Sequence, residues 1–287
     1  MQGRVLIIAG SDSGGGAGIQ ADIKTVTSLR GFAATALTAL TAQNTLGVHG
    51  VHPVPLAFIA QQIEAVLTDI GADVVKTGML GTSEVIETVC TALERFGAGI
   101  PVVVDPVMVA KGGHALLADE AVATMRRRLL PKAFVLTPNL PEAAALTGMS
   151  IGSVAEMRVA ASVLLSLGVP AVLLKGGHLP GDELVDLLAT PDGVEAFTAA
   201  RIETRHTHGT GCTTASAVAA GLAQGLSLRD SVIRARHAHA SGSAPGSVTA
   251  ASINRSASAC CPRRKCESAR YIDSRASKPK APRARSR

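Results

Sequence analysis

Between residues 5 and 175, short β-branched apolar runs alternate with stretches of helical period, and this alternation constrains the fold more than any other feature. A run that is apolar at every position needs cover on both faces, and runs separated by helix-length segments pair in parallel through crossover helices. The pattern predicts strands at Val5–Ala9, Ala34–Thr41, Val74–Thr77, Val102–Asp105, Phe134–Thr137 and Ala171–Lys175. It predicts helices near 18–30, 55–69, 83–97, 119–130, 141–147 and 155–167. The expected fold class is therefore α/β, with a mostly parallel central sheet flanked by helices on both faces. From 183 to 206 the text changes to alternating strand segments broken at Thr190–Gly193, a hairpin signal. A glycine turn at His208–Cys212 then opens an Ala-rich helix to about Gln224, and a further helix starts near Leu228.

The periodic text stops at Arg236. Residues 237–287 contain no Leu and no Phe, and they carry 11 of the 28 Lys and Arg but 2 of the 22 Asp and Glu. The expected division is one α/β domain at 1–236 and a basic low-complexity tail at 237–287, disordered or the product of a reading-frame shift. Residues 1–236 are mildly acidic, so the overall charge of +6 belongs to the tail. No nucleic-acid partner is expected from it. The opening apolar run is far too short for a signal or a spanning helix, so no membrane is expected and the chain is placed in the cytoplasm. Cys90 and Cys212 are the two cysteines outside the tail and give no disulfide framework.

Five constellations carry chemistry. His206–Thr214 is a glycine turn feeding a helix, where successive N–H groups and the helix dipole suit an anion such as phosphate. Cys212 stands in the first turn of that helix, where a thiol's pKa is lowered and a thiolate can take a proton from an alcohol. The plainer reading is a small cysteine used for packing. Thr137–Glu142 follows a strand; Glu142 there can hold hydrated magnesium against ATP phosphates, or Asn139 and Glu142 can simply cap a helix. Asp105 at another strand end is a second candidate ligand for that ion, or a turn aspartate before proline. Lys175 ends a strand beside Gly176 and Gly177, a fixed cation with room for phosphate or a solvated surface lysine. The opening loop Ala9–Asp22 is neither a Walker motif nor a dinucleotide fingerprint. With Asp22 after it and Gln43 closing the second strand, it offers hydrogen-bonding groups suited to a heteroaromatic amine, or it is a flexible linker.

These segments, in this order over residues 4 to about 235, resemble the hydroxymethylpyrimidine/phosphomethylpyrimidine kinases of thiamine biosynthesis, in the ribokinase-like superfamily. The match includes Ala9–Asp12, Gly15–Asp22, Ala42–Thr45, Lys76–Met79, Asp105–Val109, Thr137–Glu142, Lys175–His178 and His208–Cys212. The resemblance implies a three-layer ribokinase-like fold and ATP bound through Lys175, Asn139 and the Thr207–Gly211 turn. It places Gly209, Thr210, Gly211 and Cys212 at the catalytic centre and Mg2+ near Asp105 and Glu142. The pyrimidine would lie against Gly10, Asp22, Gln43, Met79 and Val107, with Gln43 reading its ring nitrogen and amino group. Enzymes of this family phosphorylate the alcohol and then the monophosphate; pyridoxine and pyridoxal kinases on the same scaffold are the alternative, and a non-catalytic ligand-binding or nucleic-acid-associated protein a remote one. A homodimer is expected. Family members end in a helix and a Gly-His-Gly segment that close the nucleotide pocket, where this chain has its Ser/Arg-rich tail.

Overall fold

Val5–Ala9 is apolar throughout, and its alternate side chains enter two different cores: Val5, Ile7 and Ala9 on one side, Leu6 and Ile8 on the other. The computed structural model describes residues 3–44, 46–108, 119–201 and 209–240. Its strands are β1 (Arg4–Asp12), β2 (Phe32–Gln43), β3 (Val48–Pro53), β4 (Val74–Thr77), β5 (Val102–Val104), β6 (Ala133–Leu136), β7 (Val172–Leu174), β8 (Glu183–Thr190) and β9 (Gly193–Ala200). Its helices are α1 (Gly18–Ser28), α2 (Leu56–Ala65), α3 (Ser83–Phe96), α4 (Asp119–Thr124), α5 (Leu140–Thr147), α6 (Val154–Ser166), α7 (Thr210–Ala223) and α8 (Leu228–Ala240).

The strands form one sheet in the order β3-β2-β1-β4-β5-β6-β7-β8-β9. β2, β1, β4, β5, β6 and β7 run parallel, while β3 at one edge and the β8–β9 hairpin at the other are antiparallel. One core lies between the sheet and α2 to α6, through residues such as Ile59, Ile86, Met125, Leu146 and Leu164. The other lies under α1, α7 and α8, where Ala215, Ala217, Ala219 and Ala220 let α7 approach the strands closely. This is the expected three-layer arrangement. The chain steps from β1 out to β2 and β3, then crosses back past β1 to β4, and ligand crevices form at such a switch, outside the carboxyl ends of the strands.

The strand β3 escaped the sequence reading. All but the first of its residues are exposed, so it shows no core-facing alternation, and Gly50 and Pro53 read as turn. It exists because β2 runs on to Gln43 and offers it a ladder from Ala39↔Pro53 to Gln43↔Val48. The helices predicted to 69 and 130 finish instead as π turns at Val66–Ile70 and Met125–Leu129, which hydrophobic period does not announce. Helix α8 continues four residues past Arg236, and the tail from 241 onward lies outside the described residues. Among the described residues, no helix is long and apolar enough to cross a membrane.

Candidate active site

Asp105 follows β5 directly and is 2% exposed. Its Oδ1 lies 3.4 Å from Lys175 Nζ at the end of β7 and 3.5 Å from Thr137 Oγ1 at the end of β6. Its Oδ2 sits 3.9 Å from Lys76 Nζ and accepts no hydrogen bond. A buried carboxylate oxygen without a hydrogen-bond donor is costly, and the Lys76 charge offsets only part of that cost. Parallel register puts the ends of β4, β5, β6 and β7 side by side, which is why residues 30 to 70 positions apart meet here.

Asn139 and Glu142 form a reciprocal cap on α5: Glu142 N–H donates to Asn139 Oδ1 at 2.9 Å, and Asn139 N–H donates to Glu142 Oε2 at 2.8 Å. The capping reading is therefore realised, and it aims Glu142 at the site. Burial pushes the Glu142 carboxyl up to about 7, Lys175 opposes that, and the charge of Asp105 adds to it. Neither reading of the pair excludes the other, because the cap leaves this acid beside Asp105 and Lys175.

Helix α7 begins at a turn with no side-chain cap. Gly209 has φ 78°, the left-handed region, and a Cβ there would collide with the carbonyl oxygen of Gly16, so glycine is required twice over. The Lys175 ammonium stands over Gly211, 3.3 Å from where a Cβ would be. Burial draws Lys175 down, but Asp105 and Glu142 outweigh it and hold the ammonium above its ordinary range. A permanent cation at an uncapped helix start is suited to phosphate oxygens.

Cys212 is half-buried in the first turn of α7, with the backbone of Gly18 near its sulfur. The expected lowering of its pKa is not found. Burial pushes the thiol up to about 12, the carboxylates of Asp105 and Asp22 add to this, and Lys76 pulls against them. The helix start cannot overcome two acids in a water-poor site, so Cys212 rests as the thiol.

Asp22 also takes a different place from the one expected. It is fully buried, with Lys76 Nζ at 3.0 and 2.9 Å from its two oxygens and Ser216 Oγ donating at 2.7 Å. The carboxylate is therefore engaged in an internal ion pair. Burial raises its pKa against Lys76 and Ser216, while Asp22 holds Lys76 protonated in spite of burial. Lys76 is the residue to which sequence reasoning gave no role; its signal was a lysine inside Val74–Thr77, a strand buried at every position.

Gln43 ends β2 and is held from behind: Ser13 Oγ donates to its carbonyl at 2.8 Å, and its N–H donates back to Ser13 Oγ at 2.8 Å. Thr41 Oγ1 lies 3.3 Å from Gln43 Oε1. The Met79 methyl packs over Gly10, where any Cβ would strike it. Val107, half-buried, turns back so that its N–H donates to the Asp105 carbonyl. Gly10 lies in the last third of β1, and Met79 and Val107 follow the ends of the neighbouring β4 and β5, so all three stand at the carboxyl side of the sheet, whereas Thr207 lies outside the described residues.

Residues 12–244 match the phosphomethylpyrimidine kinase family. The chain is 53% identical over 234 residues to the thiamine biosynthesis bifunctional protein ThiED of Geobacter sulfurreducens, covering 82% of this chain and 48% of that longer protein. It is 51% identical to the hydroxymethylpyrimidine/phosphomethylpyrimidine kinase of Bacillus subtilis, over 79% of this chain and 84% of that one. In structure it resembles the pyridoxal kinase from Staphylococcus aureus in complex with AMP-PCP, with a TM-score of 0.78 and 40% identity, over 84% of this chain and 88% of that one. A glycine turn without a side-chain cap, a lysine leaning over it and a buried aspartate beside that lysine are thus held on a scaffold shared with kinases, and the chain belongs to the phosphomethylpyrimidine kinase family.

Proposed function

We propose that this chain transfers the terminal phosphoryl group of ATP to the hydroxymethyl oxygen of 4-amino-5-hydroxymethyl-2-methylpyrimidine, and then transfers a second one to the resulting monophosphate. The observation that carries this reading is the convergence of Lys175, the Gly209–Gly211 turn, Cys212 and an Asp105 oxygen that accepts no hydrogen bond at the carboxyl ends of parallel strands. Phosphoryl transfer through a loose transition state asks chiefly for positioning and for neutralisation of the equatorial oxygens. Lys175 and the α7 start supply both.

The donor set also suits magnesium. Among the described residues no three His, Cys, Asp or Glu converge to cage a metal, whereas Asp105 and Glu142 together offer the one or two carboxylates that hydrated Mg2+ takes beside phosphates. When bound there, the ion would neutralise phosphate charge. The acceptor alcohol must give up its proton as its oxygen bonds to phosphorus, and Cys212 is the group assigned to receive it, as thiolate becoming thiol. The thiol is pushed up to about 12 even with Lys76 opposing the shift, so the proton is taken by the minor thiolate fraction, which grows as pH rises. Gln43 is assigned to the aminopyrimidine edge, where an amide both donates and accepts. Residues 1–236 are read as the catalytic unit, with Thr207 completing the phosphate turn.

Cytoplasmic residence, no nucleic-acid partner and a homodimer belong to the same reading. The exposed apolar residues Leu40, Val51, Leu56 and Phe58 around the edge strand support the homodimer, and a monomer's mass in sedimentation would rule it out. The decisive experiment supplies the purified protein with ATP and the pyrimidine alcohol and follows products by mass. Two successive additions of phosphate are expected. Faster turnover of pyridoxal, with only one addition to any substrate, would shift the assignment to the vitamin B6 kinases that share the scaffold.

A further inference from the structure

The glycine loop between β1 and α1 is already filled. Asp12, 3% exposed, receives the N–H of Gly14 on Oδ1 at 2.8 Å, and those of Gly16 and Ala17 on Oδ2 at 3.1 and 2.8 Å. Its carbonyl takes the Gly15 N–H at 2.9 Å, and its own N–H goes to Gln20 Oε1 at 2.8 Å. The carboxylate also sits at the start of α1, where Ala17 offers no side-chain cap and the dipole favours an anion. The loop amides are thus spent on an internal acid, and the loop's outer side touches three parts of the site. Ser13 clasps the Gln43 backbone in both directions. The Gly16 carbonyl abuts Gly209, and the Gly18 backbone lies near the Cys212 sulfur.

We infer that Asp12 is a positioning residue: by gathering the loop amides it sets Gly16 and Gly18 against the phosphate turn and Ser13 against Gln43, coupling the substrate reader to the transfer site. This rests on the role proposed for Cys212, and the test separates the two. In Asp12→Ala three N–H groups lose their acceptor. In Asp12→Asn one carbonyl oxygen remains and the amide nitrogen confronts a donor.

A misplacement of about 1 Å can cost about 100-fold in rate. For Asp12→Ala the expected result is a kcat lower by about 10- to 100-fold, a raised KM for the pyrimidine, and a KM for ATP within about threefold of wild type. Asp12→Asn should lose less, and it serves if the alanine variant does not fold. The readout that a merely structural role would not move is the cycle with Cys212→Ala: if Asp12 acts on the sulfur, the two losses overlap and the double variant is little worse than Cys212→Ala. Folded Asp12 variants with wild-type kcat and pyrimidine KM overturn the inference, and so do losses that multiply in full. Full turnover in Cys212→Ala alone removes the base assignment, and the Asp12 role is then decided by its own kcat and pyrimidine KM.

Discussion

Two glycine-rich turns open two helices on the same side of the sheet, and their electrostatic fates are opposite. At 12–18 the amides close around the carboxylate of Asp12, an anion the chain supplies itself. At Gly209–Gly211 the helix has no side-chain cap and a lysine ammonium leans over the turn, and in the proposed function the anion there is the phosphate of a ligand. The difference teaches that a glycine-rich loop before a helix is a phosphate site only when no carboxylate of its own occupies it. Beneath the pair, one ion cluster joins them: Asp22 from α1, Ser216 from α7 and Lys76 from β4. The inner turn is thereby the brace and the outer one the working surface.

The largest way to break the comparison is to remove the shared floor. Lys76→Met leaves Asp22 buried with no cation, a loss of about 3–5 kcal/mol in unfolding free energy by denaturant titration. Adding Asp22→Asn should recover much of it, because the cost lies in the stranded charge; a double variant no more stable than Lys76→Met would show that packing, not charge, dominates.

Next in size is Cys212→Ala at the outer turn, expected to lower turnover about 100-fold, the scale on which a lost general base is felt. In the proposed role the thiolate takes the proton, and burial pushes the thiol up to about 12, so wild-type kcat should rise with pH across the range near neutrality. The alanine variant should lose that rise. A pH profile with the same slope in both proteins would sink the assignment.

The smallest effect sharpens the inner turn. Gln43→Ala leaves the backbone clasp with Ser13 intact but deletes the amide, so the pyrimidine KM should rise about tenfold while that for ATP stays put. Equal loss of both affinities would mean that Gln43 supports the fold of the crevice instead of reading the ring.

Much of this was legible in residue order. The apolar runs gave six parallel strands to within a residue or two at most ends, because a strand covered on both faces has no choice but to be apolar throughout. The hairpin at Thr190–Gly193 was legible from its turn residues. Edge strand β3 was not, since a strand facing solvent carries no burial pattern and exists only through its neighbour.

At the site, the sequence by itself determined which chemistry was on hand: a glycine turn before a helix, a cysteine in its first turn, and acids and a lysine at strand ends. Only the tertiary structure decided how each group behaves. It placed Lys76 under both turns, turned Asp22 inward to meet it, spent the first loop's amides on Asp12, and raised the Cys212 thiol where local reasoning had lowered it. Helix dipoles and turn propensities act over neighbouring residues and can be read along the chain. Charge pairing and desolvation depend on distance in space, and parallel strands bring together acids and lysines that the sequence keeps far apart.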